Sequence, residues 1–331
     1  MRRFLHAIVL LPLVVAPGCA YSSDNPATTV VEKGHIVVGA MPIPDAAPLY
    51  IAQKRGFFTA EGLTVDIQAV QGAGYAIPRL IGGGMDIAIL NYITAIKAHS
   101  QGLKLRLIAD SYQAGPGTFL LMVTKNSPIA SPADLRGKTI AVATLQSIGT
   151  LTTEVALKIH GLTAKDVTMV EIPLPNMPAA LEAGTVDACW MTEPFINAVS
   201  IKGARKLWDV MSGPTEGFPI AGWGVSEQFA AKHPKTIAAF QRALAKAQHL
   251  AAADRGVVTA ILPTYTKIGP ETAKLITLGT FPTSIATRRL QRVADTMRDY
   301  GYLTAPVDVS KMLLPQAGPA ETPTTSHGAR P

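Results

Sequence analysis

The side chains best suited to bind a ligand in this chain are polar, glycine or aromatic residues at the ends of short apolar segments. They are Pro44, Asp45, Gly74, Tyr75, Asn91, Tyr92, Gln146, Ser147, Gly149, Thr150, Trp190 and Glu193. Hydroxyl, amide, carboxylate and backbone N–H groups can hold a small molecule by hydrogen bonds, and aromatic rings can stack on it. The set predicts reversible binding in a cleft.

Several of these residues also have a structural interpretation. Ser147 precedes a predicted helix, so residues 146–150 can hold an anion at the helix start, or Ser147 can simply cap that helix. Asp45 can pair with an amine of a ligand or cap the helix that begins near residue 46. Trp190 can stack on a ligand or pack in the core, and Glu193 can face the cleft or brace a hinge. The sequence leaves each of these choices open.

Catalytic and metal-binding chemistry is not predicted. Cys189 lies within an apolar run, which favours packing over nucleophilic chemistry. The histidines have no histidine or cysteine partner at a metal-ligand spacing, and residues 72–77 lack the third glycine of a dinucleotide-binding loop because Ile77 occupies that position. The basic residues nearest the predicted cleft, Arg79 and Lys97, fall within helices. We therefore expect no metal, no cofactor and a neutral or zwitterionic ligand.

The elements that must position these residues alternate between strand and helix. The first unit contains strands at 35–40, 63–70 and 86–90, with helices at 46–58 and after 72–74. The second contains strands at 139–143, 167–172 and 188–191, with helices at 151–160 and 175–182. This order is typical of a parallel sheet covered by helices. Helices at 233–254, 270–278 and 287–300 follow.

A short internal repeat links the two units. Leu80, Gly83 and Asp86 have the same spacing as Leu181, Gly184 and Asp187. In each triplet the glycine can end a helix in left-handed geometry, and an apolar strand follows. The repeat predicts an α/β protein of two related lobes. We expect lobe 1 at 35–122 and 227–314, and lobe 2 at 123–226.

The N-terminal residues have the features of an export signal. Arg2 and Arg3 precede an apolar stretch at 4–15 that is too short to span a membrane. Small residues and Cys19 follow, as in a bacterial lipobox, although Ala16 replaces the usual leucine. We expect a signal peptide at 1–18 and a lipid anchor and tether at 19–34, with ordinary cleavage near Cys19 as the alternative. Residues 315–331 are expected to be disordered.

Composition excludes other classes of protein. The chain has 331 residues, of which 48% are hydrophobic and 16% charged, which is unlike a disordered chain. Its two cysteines cannot build a disulfide framework. A net charge of +7 spread over this length is weak evidence for nucleic acid, so we expect no nucleic-acid partner.

Three segments resemble a known family. They are 47–63 (APLYIAQKRGFFTAEGL), 129–142 (IASPADLRGKTIAV) and 179–194 (AALEAGTVDACWMTEP). Together and in this order they resemble the NMT1/THI5-like solute-binding proteins of ABC importers for nitrate, sulfonates, taurine and thiamine precursors. The resemblance implies a type II periplasmic-binding-protein fold, with a ligand cleft and hinge between two α/β lobes.

The same resemblance implies a function and partners. The chain is expected to be a monomeric lipoprotein outside the cytoplasmic membrane that captures a small organic solute and delivers it to an ABC permease. Two alternatives remain at this point. One is an enzyme like the synthases of the thiamine pyrimidine, although their cysteine-rich iron-binding motif has no counterpart here. The other is a module that presents its ligand to a membrane sensor.

Overall fold

The computed structural model describes residues 30–318, which form two α/β lobes around one five-stranded sheet each. The predicted signal peptide, Cys19 and most of the predicted tether lie outside the described residues. The strands are β1 (His35–Ala40), β2 (Thr64–Ala69), β3 (Ile87–Asn91), β4 (Leu105–Gln113), β5 (Phe119–Val123), β6 (Thr139–Val142), β7 (Thr168–Glu171), β8 (Ala188–Thr192), β9 (Arg205–Asp209) and β10 (Pro219–Ser226).

Helices cover both sheets. They are α1 (Ala47–Lys54), α2 (Phe57–Ala60), α3 (Ala73–Ile81), α4 (Tyr92–Ser100), α5 (Ile148–Ile159), α6 (Met177–Glu182), α7 (Phe195–Ser200), α8 (Glu227–Lys232), α9 (Pro234–Ala253), α10 (Arg255–Ile261), α11 (Pro270–Leu275) and α12 (Thr287–Asp299). The predicted helix at 46–58 is two helices, because Gly56 adopts a left-handed φ of 70° between α1 and α2. No helix within residues 30–318 is long and apolar enough to cross a membrane.

The two sheets have the same topology. Lobe 1 has the order β2-β1-β3-β10-β4, and lobe 2 has the order β7-β6-β8-β5-β9. In each sheet the first three strands are parallel, and a fourth strand runs antiparallel to its neighbours. Their central strands are fully buried, which matches near-continuous apolar sequences such as ACWMT in β8. The predicted α/β fold of two lobes is therefore confirmed.

The internal repeat has a physical basis in the structure. Asp86 accepts a hydrogen bond from the backbone N–H of Val37 at 2.8 Å, and Asp187 accepts the equivalent bond from Thr139 at 2.8 Å. Each carboxylate thus joins the start of one strand, β3 or β8, to the parallel strand beside it, β1 or β6. The helix-ending glycines of both triplets have positive φ angles, 74° at Gly83 and 67° at Gly184.

The chain crosses between the lobes at different residues from those expected. Strand β5 begins at Phe119 and pairs with β8 and β9, so the first crossing precedes the expected boundary after residue 122. Strand β10 pairs with β3 and β4 of lobe 1, although 219–226 were expected in lobe 2. Each crossing strand joins the sheet of the lobe that it enters. The order of the strands along the chain does not reveal this pairing.

The predicted disordered tail begins too early. The side chain of Gln241 donates hydrogen bonds to the carbonyl oxygens of Ile108 and Pro315, and accepts one from the N–H of Ala317 at 3.1 Å. Residues 315–317 are therefore held against α9 and β4, because one buried glutamine satisfies their backbone groups. The remainder of the predicted tail, from residue 319, lies outside the described residues.

Candidate functional site

An inner cavity of about 40 Å³ lies between the lobes, where strands of both sheets end. Lobe 1 contributes the loop after β1, the loop before α3 and the end of β3. Lobe 2 contributes the loop after β6 and the ends of the strands that flank it. The polar side chains in its wall are Asp45, Gln71, Asn91, Thr144, Ser147 and Thr192. The larger apolar side chains are Met41, Ile43, Phe119, Ile148, Leu174, Trp190 and Ile220.

A second cavity continues this space towards the protein surface. It has a volume of about 280 Å³ and shares Met41, Ile43, Gln71 and Leu174 with the first. This volume is close to the lower end of the range of about 300–1,000 Å³ that small-molecule sites occupy, whereas the inner cavity has room for only a few water molecules in this conformation. A mostly apolar wall with a few polar groups is typical of small-molecule sites. The two cavities form one interlobe cleft.

Side chains from the two lobes meet at one side of this cleft. Thr94 Oγ1 on α4 lies 3.0 Å from Ser147 Oγ, which precedes α5. The Lys97 ammonium, one turn further along α4, donates a hydrogen bond to the side chain of Gln146. Gln146 adopts a left-handed φ of 53°. These contacts join the lobes directly, so the structure represents a conformation in which the cleft is narrowed.

Trp190 forms a fixed wall on the lobe 2 side. Its indole Nε1 donates a hydrogen bond to Thr152 Oγ1 at 3.0 Å, and its ring stacks on Phe119 with centroids 5.1 Å apart. A Cβ atom at position 149 would lie 3.1 Å from the indole ring, so Gly149 lets α5 pack closely against this ring. Trp190 both packs in the core and lines the cavity.

Asp45 is the one ionisable side chain in the wall of the inner cavity, among the residues that the structure describes. It is 2% exposed, and its Oδ1 atom has no hydrogen-bond partner. Burial raises the pKa of this carboxyl from 3.8 to about 7. Its side chain forms no capping hydrogen bond with the short 3₁₀ helix that contains it or with α1, so capping does not explain its position.

Glu193 braces the connection between the lobes. Its carboxylate accepts hydrogen bonds from the N–H of Asn197 at 3.1 Å and the N–H of Thr277 at 3.2 Å. The segment that contains Thr277 also pairs with lobe 1, where Thr280 and Gln113 exchange backbone hydrogen bonds of 3.0 Å. Burial raises the pKa of Glu193, and these N–H donors oppose that rise. These bonds hold the Glu193 carboxylate in place in this conformation, and its predicted ligand role stays a prediction.

Four of the predicted binding residues line the inner cavity: Asp45, Asn91, Ser147 and Trp190. The others are outside its wall. Tyr92 is buried and donates a hydrogen bond to Asp110 at 2.7 Å, whereas Gly74, Tyr75 and Gln146 are exposed. Pro44 is buried within the 3₁₀ helix, Gly149 packs on Trp190, and Thr150 Oγ1 accepts from the N–H of Ser147 at 3.4 Å. A ligand role for each residue stays a prediction.

Sequence reasoning missed other wall residues for two different reasons. Gln71 and Thr144 directly follow parallel strands, so the rule that ligands collect beyond the carboxyl ends of strands could have found them. Phe119, Ile220 and Ala221 enter from the two antiparallel crossing strands. No signal in the sequence placed those strands beside the cleft.

Cys189 has no chemical role in the site. The thiol is free and buried, its Sγ lies 3.7 Å from the carbonyl oxygen of Met177, and burial raises its pKa to about 12. A thiol with such a pKa stays protonated and is a poor nucleophile. This environment fits the predicted packing role.

Comparison with known proteins gives consistent results. The chain is 26% identical over 204 residues to the putative binding protein YtlA of Bacillus subtilis, with 61% of each chain covered. It is 29% identical over 205 residues to the taurine-binding periplasmic protein of Escherichia coli, covering 61% of this chain and 62% of that protein. The chain thus spans less than two thirds of the length of either relative.

The fold is also that of a solved structure. The alkanesulfonate-binding protein SsuA from Xanthomonas axonopodis pv. citri, bound to MOPS, has a TM-score of 0.72 at 19% identity, covering 86% of this chain and 99% of that one. The family model described as NMT1/THI5 like matches residues 43–255, which is more than half of the chain. The chain therefore belongs to the NMT1/THI5-like family.

Proposed function

We propose that this chain is the solute-binding component of an ABC importer, that the interlobe cleft holds a small organic solute, and that the chain works as a monomer without a cofactor. The observation that carries the proposal is the cavity itself, whose wall is shared by two lobes of identical topology and combines apolar side chains with a few polar groups. Relatives named as binding proteins support it.

The lobe contacts suggest how binding is signalled. A solute that touches both walls stabilises the conformation in which Thr94 meets Ser147 and Lys97 meets Gln146. Because such a solute binds the closed state more tightly than the open state, it increases the fraction of closed molecules. A permease can then distinguish the loaded protein by shape, and no bond needs to be made or broken.

The test is a thermal-shift and fluorescence screen of the purified protein against sulfonates, taurine, nitrate, pyrimidines and aromatic acids. A true ligand at about 100 times its dissociation constant adds about 2.7 kcal/mol and raises the melting temperature by on the order of 5 °C. Trp190 lies in the wall, so its emission is expected to change as well. If no solute shifts melting and no permease associates, the proposal fails.

Cys19 is proposed as the lipid anchor that keeps the protein at the outer face of the cytoplasmic membrane. Several acyl chains hold a protein at a membrane, whereas one is marginal. We expect Cys19→Ser to move the protein from the membrane to the soluble fraction. Cys189→Ser is the matched control, because that thiol is buried and its replacement leaves the anchor intact. Membrane retention of the Cys19→Ser protein would contradict lipid anchoring.

A further inference from the structure

The wall of the cleft contains a buried carboxyl group with one oxygen atom that has no hydrogen-bond partner within the protein. Asp45 is 2% exposed and lines the inner cavity, and its Oδ1 atom is the one without a partner. Its backbone is fixed, since the carbonyl oxygen of Asp45 accepts a hydrogen bond from Ser111 Oγ at 2.7 Å. A free acceptor oxygen is therefore held in place at the cleft.

The neighbouring groups do not neutralise this carboxylate. Lysine, arginine and histidine are absent from the described residues that line the cavity. Two buried phenols, those of Tyr112 and Tyr265, interact with this carboxyl, and burial and the charge of Asp45 both raise their pKa values. Tyr265 donates its hydroxyl to the carbonyl of Ile43 at 3.1 Å, and Tyr112 accepts from the N–H of Gly279. A buried carboxylate needs donors or a cation, and the described residues of the wall supply no cation and no donor to Oδ1.

We propose that Asp45 pairs with a positively charged or N–H-rich nitrogen of the solute, such as an ammonium, amidinium or aminated heteroaromatic ring. The inference rests on the proposed function and specifies its ligand class. Trp190, Phe119 and Ile43 give the same cavity an apolar surface, so the nitrogen is expected on a compact, partly apolar body. At pH 8, where this carboxyl is mostly ionised, a simple oxyanion such as nitrate would instead face an unpaired negative charge, which repels it.

The experiment compares solutes that share a body and differ in their charged head. Benzylamine, benzyl alcohol and phenylmethanesulfonate form one set, taurine and isethionate form a second, and 4-aminopyrimidine and nitrate complete the panel. Each is tested by thermal shift and calorimetry against the wild-type protein, Asp45→Asn and Asp299→Asn. Asparagine has the shape of aspartate without its charge, and Asp299 is an exposed carboxylate on α12 that serves as the control. Melting of each variant without solute shows that it folds.

The expected result is that binding solutes carry an amine or amidine-type nitrogen, and that Asp45→Asn weakens them about 10- to 100-fold while Asp299→Asn has no effect. Binding of the sulfonate, isethionate or nitrate in preference to the amines overturns the inference but leaves the proposed function standing. So does binding of an amine that Asp45→Asn leaves unchanged. If no member of the panel or of the wider screen binds, the proposed function fails and this inference fails with it.

Discussion

Asp45→Asn is expected to make the solute-free protein more stable above neutral pH, even though it removes a residue from the proposed binding site. The folded protein holds the pKa of this carboxyl at about 7, compared with 3.8 for the usual group. The folded state therefore binds the proton more tightly than the unfolded state does. Its contribution to stability is fully present below about pH 4 and is lost as pH rises through 7.

The size of this effect follows from the two pKa values. Their difference corresponds to an upper limit of about 4 kcal/mol of stability lost between pH 4 and pH 8. Asparagine does not ionise, so its stability lacks this pH dependence. Burial also raises the pKa values of Asp110 and Glu193, and of the phenols of Tyr112 and Tyr265 beside the site. All four groups are present in both proteins, so their contributions to the pH dependence of stability largely cancel in the comparison.

The measurement is urea unfolding of the wild type and Asp45→Asn at intervals from pH 4.5 to pH 8.5. We expect the free energies of unfolding to diverge as pH rises, with the variant more stable at the upper end. Asp299→Asn, at an exposed position, is expected to follow the wild type throughout. Parallel curves for the wild type and Asp45→Asn would show that the Asp45 carboxyl titrates normally. Residues of a binding site commonly lower the stability of the ligand-free protein in this way.

The sequence allows the parallel half of each sheet to be predicted, but not the antiparallel half. Strands β1 and β6 are short β-branched or apolar runs, and the Leu-x-x-Gly-x-x-Asp repeat places a helix-ending glycine before β3 and before β8. Strand β10 has the sequence PIAGWGVS, whose glycines resemble a loop. Gly222 is needed there because a Cβ atom would come within 2.4 Å of the Tyr92 hydroxyl and 2.8 Å of the Ala109 carbonyl oxygen. The need for glycine at this position comes from tertiary contacts, which the local sequence of the strand does not show.

The candidate site was predictable to a similar extent. Asn91 and Ser147 were found because they follow parallel strands. The ambiguity of Asp45 could not be resolved from sequence, since a helix-capping aspartate and a buried, unpartnered one look the same along the chain. Its surroundings come from residues far away in sequence, since Ser111 donates to its backbone carbonyl oxygen and the phenols of Tyr112 and Tyr265 interact with its charge. Spacing rules therefore identify the edge of the sheet, whereas packing decides which side chains face the cleft.

Arg289→Met is expected to destabilise the protein by about 3–5 kcal/mol, because it leaves a buried carboxylate without its cation. Asp110 on β4 is 1% exposed and accepts hydrogen bonds from Tyr92 at 2.7 Å and from the N–H of Ser111 at 2.9 Å. The Arg289 guanidinium on α12 donates to its other oxygen at 2.7 Å, and also to Gln113 at 2.6 Å. Burial already raises the pKa of Asp110 to about 6, although Arg289 lowers it.

The pair can be tested by a double-mutant cycle of Arg289→Met and Asp110→Asn with urea unfolding at pH 8. Removing the charge of Asp110 also removes its need for a cation, so we expect the double variant to be more stable than the sum of the single effects predicts, by at least about 1 kcal/mol. Without Arg289 the pKa of Asp110 rises further above its usual value. Stability of the Arg289→Met protein is then greatest at low pH and falls more steeply than that of the wild type as pH increases.

Arg298→Met provides the control, since Arg298 lies on the same helix with an exposed side chain. It is expected to change stability by less than about 0.5 kcal/mol. Additive effects of the two substitutions, or a loss below about 1 kcal/mol for Arg289→Met, would contradict a coupled buried pair. Because β4 ends at Gln113, where the chain leaves lobe 1, Arg289 ties the C-terminal helix to the first interlobe crossing. Its loss is therefore expected to loosen the crossing together with the core of lobe 1.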